Sequence, residues 1–90
     1  MGNGINTDVM KQEVRKIIAE IAEIPEADIK DESLFFEELG IDSMMALEIV
    51  TAIEKRYRIH LPEEQIPNIR SISKVCELLK GLLTASTQNA

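Results

Sequence analysis

Val9, Met10, Val14, Ile17, Ile18 and Ile21 recur at three- and four-residue steps. That spacing paints one apolar stripe along a first helix, from about Thr7 to about Ala22. Asn6 or Thr7 can cap its start, and Asp8 stands well placed beside the positive end of the helix dipole. Pro25 ends it, because the residue before a proline avoids helical angles. A second helix is expected from about Ser43 to about Tyr57, with Asp42 as N-cap. Ala46, Ile49, Val50, Ile53 and Tyr57 share its core face. The chain breaks at His60-Leu61-Pro62. Pro62-Glu63-Glu64-Gln65-Ile66 then reads as a short third helix, with proline in its first turn and acids at its positive end, stopped by Pro67. The last helix starts near Ser71 and runs to about Leu82, with Gly81 in its C-terminal cap. Ile72, Val75, Leu78, Leu79 and Leu82 mark its buried face.

The loop from Ile24 to Ile41 is long for a compact domain, and such loops are usually functional or locally structured. Ile29, Leu34, Phe35, Phe36 and Leu39 can pin it onto the helices, with a turn of helix at Leu34 to Glu38. Gly40 releases the chain into the next element. The pattern predicts an all-α, four-helix bundle: three main helices, one short third helix and a long first loop. Ninety residues make one small domain. Residues 7–83 form the bundle, between a flexible N-terminus over 1–6 and a flexible tail over 84–90.

Composition narrows the setting. Two Phe, one Tyr and no Trp leave an aliphatic core. Cys76 is the only cysteine, so no internal disulfide forms. A lone thiol without an export signal fits a reducing cytoplasm. No apolar run approaches the roughly 18 residues that span a bilayer. The net charge is −6 and unevenly spread: residues 1–54 hold 13 acids and four bases, residues 55–90 three acids and six bases. An acidic surface repels nucleic acid and anionic lipid and attracts basic protein patches.

One stretch is arranged for chemistry. Gly40-Ile41-Asp42-Ser43 just before a helix sets one hydroxyl at a loop tip, where unsatisfied N–H groups and the helix dipole favour a phosphate. Taken alone, Asp42-Ser43 is a helix cap. Its surroundings say more: Phe35-x-Glu37-Glu38-Leu39-Gly40-x-Asp42-Ser43, then Leu47-Glu48-Ile49-Val50, Ile53-Glu54 and Leu61-Pro62, form an ordered set. That set resembles the acyl carrier protein family over about residues 7 to 83, as a discrete, bacterial-type carrier. The resemblance implies that Ser43 is the attachment serine for 4′-phosphopantetheine drawn from coenzyme A. It implies that Asp42 helps a phosphopantetheinyl transferase dock, and that the arm carries acyl groups as thioesters. The implied partners are that transferase, an acyl-carrier ligase or synthase, condensing enzymes and acyltransferases. The chain itself would be a monomeric carrier and not an enzyme.

Two departures from the family pattern matter. Housekeeping fatty acid carriers usually have an acid two places after the serine, where this chain has Met45. They usually keep acids at the far end of the second helix, where Lys55, Arg56 and Arg58 follow Glu54. Met44, Met45 and Leu47 cannot all face the core and suggest an apolar docking patch with at least one Met exposed. With Glu48, Thr51, Glu54 and Lys55 they make up the expected partner surface. An acidic second helix would speed encounter with basic partners, an effect that salt weakens. These features predict a specialised carrier in a lipid, fatty acid or polyketide-type pathway. A carrier of aminoacyl or peptidyl groups and a helical interaction module remain as alternatives.

The remaining candidates are plainer. His60 lacks a second His or nearby Cys and reads as structural. Cys76 reads as a small core residue. Asp28, Asp31 and Glu32 lack calcium-loop spacing, so no metal site is expected. Lys55, Arg56 and Arg58 are too few for a nucleic-acid surface and are expected to pair with acids or tune partner choice.

Overall fold

The computed structural model describes residues 6–88. Helix α1 spans Thr7–Ala22, α2 spans Ser43–Tyr57 and α3 spans Ile72–Gln88. Two 3₁₀ segments, Glu26–Asp28 and Glu63–Asn68, occupy the connections. Helix α1 packs against both α2 and α3. Between them lie Met10, Val14 and Ile18 of α1, Ile49, Val50 and Ile53 of α2, and Ile72, Val75, Cys76 and Leu79 of α3, all buried. Ile29, Phe35, Ile41, Leu61 and Ile69 close this aliphatic core from the connections. The all-α bundle with a long first loop is the predicted architecture.

Local chemistry sets the helix ends. The Asn6 side chain accepts from the Val9 N–H at 3.1 Å and starts α1. Its end differs in detail from the expectation: α1 stops at Ala22 through Glu23 in a left-handed turn (φ 58°), before the residue that Pro25 constrains. Pro25 instead leads into the first 3₁₀ segment. Helix α2 ends the same way, with Arg58 at φ 55°.

Four expectations need correction. The third element is a 3₁₀ segment that contains Pro67 and is not stopped by it. Proline lacks an N–H, and a short 3₁₀ segment leaves enough donors unpaired to absorb that loss. Helix α3 runs through Gly81 to Gln88. Glycine inside a helix costs about 1 kcal/mol, and the half-buried Leu82 and Leu83 extend the packed face past it. The tail therefore starts as helix, and residues 1–5 and 89–90 of the expected flexible ends lie outside the described residues. Val9 is exposed and off the core stripe. Phe36 is also exposed and does not pin the long loop.

Other groups hold that loop. The Arg15 side chain donates to the Ile29 carbonyl at 2.8 Å and to Asp31. Ser73 donates its N–H to the Asp31 carbonyl at 3.1 Å and its hydroxyl to Glu32 at 2.6 Å. The buried Ser33 hydroxyl accepts from the Lys30 N–H at 3.0 Å. A turn follows at the half-buried Leu34, whose carbonyl accepts from the N–H groups of Glu38 and Leu39.

Candidate functional site

The approach to Ser43 is anchored link by link. The Phe35 N–H donates to the Arg70 carbonyl at 2.8 Å, tying the loop to the segment before α3. The Phe35 carbonyl in turn accepts from the Ile41 N–H at 3.0 Å. Phe35 and Ile41 are both buried. Gly40 makes the bend between them at φ +69°, a left-handed angle that side-chain-bearing residues rarely adopt. A Cβ there would meet nothing within 4 Å, so the requirement is conformational and not one of space. Two residues after the buried Ile41, Ser43 is exposed as the first residue of α2.

Asp42 caps the helix. Its side chain accepts from the Met45 N–H at 2.8 Å, and its carbonyl accepts from the Ala46 N–H at 2.9 Å. The N–H groups of Ser43 and Met44 precede any intrahelical acceptor and remain at the positive end of the dipole. The result is an exposed serine on a hydrogen-bonded loop, beside donors suited to an anionic oxygen. The residues present therefore fit a phosphodiester on Ser43.

The structure brings together most, but not all, of the expected docking residues. Met44, Leu47, Glu48, Thr51 and Lys55 line one shallow groove of about 440 Å³ on the outer face of α2. Ala52 lines it too. Its place four residues after Glu48 and eight after Met44 is the signal that could have found it. Met45 lies apart, half-buried against the core. Glu54 also turns away: it accepts from the Leu61 N–H at 2.8 Å and lies 3.3 Å from His60 Nδ1. His60 thus sits at the bend after α2, largely exposed.

The other candidate groups have structural partners. Arg56 pairs with Glu13 of α1, and the Tyr57 hydroxyl donates to the same carboxylate. Those two hydrogen bonds hold the Glu13 carboxyl below its ordinary range. Burial, then the bond to Glu13, pushes the Tyr57 phenol up. Asp31 pairs with Lys11 at 3.1 Å and with Arg15, and the Lys11 bond above all keeps it ionised to lower pH. Among the described residues no three His, Cys, Asp or Glu side chains are grouped to hold a metal ion. Burial raises the Cys76 thiol to about 11, which leaves it a core residue of little nucleophilic character. No helix of the described residues is long and apolar enough to cross a membrane.

Comparison with known proteins agrees with this geometry. The family described as "Phosphopantetheine attachment site" matches residues 12–79. The chain is 35% identical over 77 residues to "Polyketide-8 synthase acyl carrier protein 2" of Streptomyces avermitilis, covering 86% of this chain and 88% of that one. The matched span runs from α1, through the loop that presents Ser43, to Leu79 of α3. This chain therefore belongs to the acyl carrier protein family, non-catalytic proteins whose cargo rides on a phosphopantetheine arm.

Proposed function

We propose that Ser43 carries the 4′-phosphopantetheine arm and that the protein delivers acyl thioesters between enzymes of a polyketide-type pathway. One observation carries the assignment of the attachment point: Ser43 is exposed at the first position of α2, on a loop fixed by Phe35, Gly40 and Ile41. In the modification, Ser43 Oγ forms a bond to the phosphorus that bears the pantetheine of coenzyme A. The bond from that phosphorus to the rest of the nucleotide breaks, and the hydroxyl proton passes to a base of the transferase. The product is a phosphodiester on Ser43, with a nucleotide leaving group. Asp42 fixes the first turn of α2 and sets a carboxylate beside the reacting hydroxyl, where it helps the transferase dock.

The polyketide-type setting is supported by the named relative and by the departures at Met45, Lys55 and Arg58 from the pattern of housekeeping fatty acid carriers. The arm then raises the effective concentration of cargo at each docked enzyme. Ligases or synthases, condensing enzymes and acyltransferases would act in turn on a monomeric carrier in the cytoplasm, where coenzyme A is at hand. The reading of this chain as a helical interaction module gives way to the family match.

Intact mass tests the assignment. Incubation with coenzyme A, magnesium and a broad-specificity transferase is expected to add about 340 Da to the wild type and nothing to Ser43→Ala. An equal gain in Ser43→Ala would refute Ser43 as the attachment point. The pathway is tested by complementation: the gene is expected not to rescue a strain lacking its housekeeping fatty acid carrier, and rescue would contradict a specialised role.

A further inference from the structure

Arg70 and Lys74 stand apart from the cations that tie the fold together. Lys11 and Arg15 share Asp31, and Arg56 holds Glu13, in close ion pairs. Glu37 lies 3.7 Å from Arg70 Nη2 and Glu77 lies 3.8 Å from Lys74 Nζ, and all four of these side chains are more than half exposed. Pairs that long and that exposed contribute little to stability. The two cations also flank the start of α3, whose first turn holds no acid, so they oppose the helix dipole. An arrangement that breaks a local rule without stabilising the fold points to function.

Both cations line a groove of about 490 Å³ between the second 3₁₀ segment and α3. Gln65 and Asn68 form its opposite wall, and Glu77 and the half-buried Leu78 complete it. Asn68 Nδ2 donates to Gln65 Oε1 at 3.0 Å, which leaves one N–H of Asn68 and the amide N–H groups of Gln65 open. A guanidinium, an ammonium and two amides thus turn donors toward one space. The N–H groups of α3 itself are occupied: Ser73 donates to the Asp31 carbonyl, and Lys74 and Val75 donate to Ser71. The side chains, and not the helix end, are what a ligand would meet.

The groove lies within reach of the arm. The Phe35 N–H donates to the Arg70 carbonyl, and the Phe35 carbonyl accepts from the Ile41 N–H. Such a bond joins Cα atoms about 5–6 Å apart, and Ser43 is at most about 7 Å of chain past Ile41. Laid end to end, these links put the Arg70 backbone within roughly 20 Å of Ser43. A phosphopantetheine has about as many atoms in line as four to five residues, so it extends about 16 Å. The acyl group and the Arg70 side chain span the rest. We propose that this groove receives an acyl group that ends in a carboxylate, with Arg70 and Lys74 as its counter-ions and Gln65 and Asn68 as further donors. Arg fits a carboxylate with two parallel hydrogen bonds. Tethering supplies an effective concentration in the millimolar range, so a site too weak to hold a free diacid is still occupied. The proposal rests on the carrier reading above and names the class of cargo.

The test compares two cargoes that differ by one carboxylate. Nitrogen-15-labelled protein is loaded at Ser43 with a malonyl or an acetyl arm, each as its hydrolysis-resistant amide analogue, and read by NMR. The malonyl-minus-acetyl shift differences are expected to concentrate on the Arg70 Nε–H and the side-chain amides of Gln65 and Asn68. They should fall at least about twofold when salt rises from about 50 mM to about 500 mM. They should vanish in Arg70→Gln with Lys74→Gln, substitutions at exposed positions that leave the fold intact, as circular dichroism would verify. A malonyl methyl ester should behave as the acetyl arm does. Differences confined to the neighbours of Ser43, or undiminished in the double variant, would overturn the proposal. If the cations serve an acidic protein instead, the two loaded forms give matching spectra in the groove, which overturns it equally. None of these results touches the carrier reading, which fails only if no arm can be placed on Ser43.

Discussion

The two faces of α2 are both apolar, and only one of them holds the protein together. On the inner face Ile49, Val50 and Ile53 are 1%, 6% and 0% exposed and pack into the shared core. On the outer face Met44 and Leu47 are largely exposed, in a groove lined by residues of α2. Burial stabilises the fold in proportion to the apolar area removed from water, so the inner residues contribute and the outer ones do not. An amphipathic helix built for stability alone would be polar on that outer side. Between the two faces, at the helix N-terminus, sits Ser43. Its position is fixed by the inner face and its surroundings are set by the outer one.

Substitutions can separate these roles. The largest effect is expected at Ser43→Ala: phosphopantetheine loading falls to nothing, while stability changes by no more than about 0.5 kcal/mol, because the residue is exposed. Chemical denaturation of Ile53→Ala should show the reverse, a loss of about 2–5 kcal/mol from a cavity in the core. That is a large share of the roughly 5–15 kcal/mol that holds a small domain. Leu47→Ala, on the other face of the same helix, should cost about 0.5 kcal/mol or less. Equal losses at Ile53 and Leu47 would erase the distinction between the faces.

Asp42→Ala should cost about 1 kcal/mol through loss of the cap on the Met45 N–H. Asp42→Asn, which keeps a capping oxygen without the charge, should restore most of that stability. If it leaves transferase activity low, the carboxylate acts in docking and not merely in capping.

The smallest effect appears only with pH. Glu13 is shifted below its ordinary value of 4.5 by Arg56 and Tyr57, and Asp31 below its ordinary value of 3.8 by Lys11 and Arg15. A carboxylate whose pKa is lowered by folding adds stability above its unfolded pKa and loses it as pH falls through the folded one. Melting temperature should therefore decline as pH drops below about 4.5. In Glu13→Gln the decline should begin later, near the range of Asp31, and be shallower. An identical profile would mean that the link between α1 and α2 through Glu13 contributes nothing to acid stability.

The sequence made the helices readable where the signal is local. Asn6 and Asp42 cap within three residues of their partners, and the stripes of α1 and α2 follow the helical period. Ser43 stood out for the same reason: glycine, cap and helix start lie within four positions. The harder features depend on residues far away in the chain. Nothing near Glu54 announces that its carboxylate turns to the Leu61 N–H, so it read as a surface acid. Met45 and Met44 are neighbours of one residue type, and only the packing of the loop decides which one is covered. The clamp on the long loop uses Arg15, Ser73 and Arg70, which are 14 to 42 positions from the groups they hold. Gly81 and Pro67 are ordinary stop signals that packing and 3₁₀ geometry overrode.

The most direct measurement is a peptide map of the wild-type protein after transferase treatment. Proteolysis and tandem mass spectrometry are expected to place the whole added mass on the Ser43 side chain, with the peptide containing Cys76 unchanged. Added mass on any other residue, or a folded protein that two unrelated transferases leave unmodified, would contradict Ser43 as the point where this carrier holds its arm.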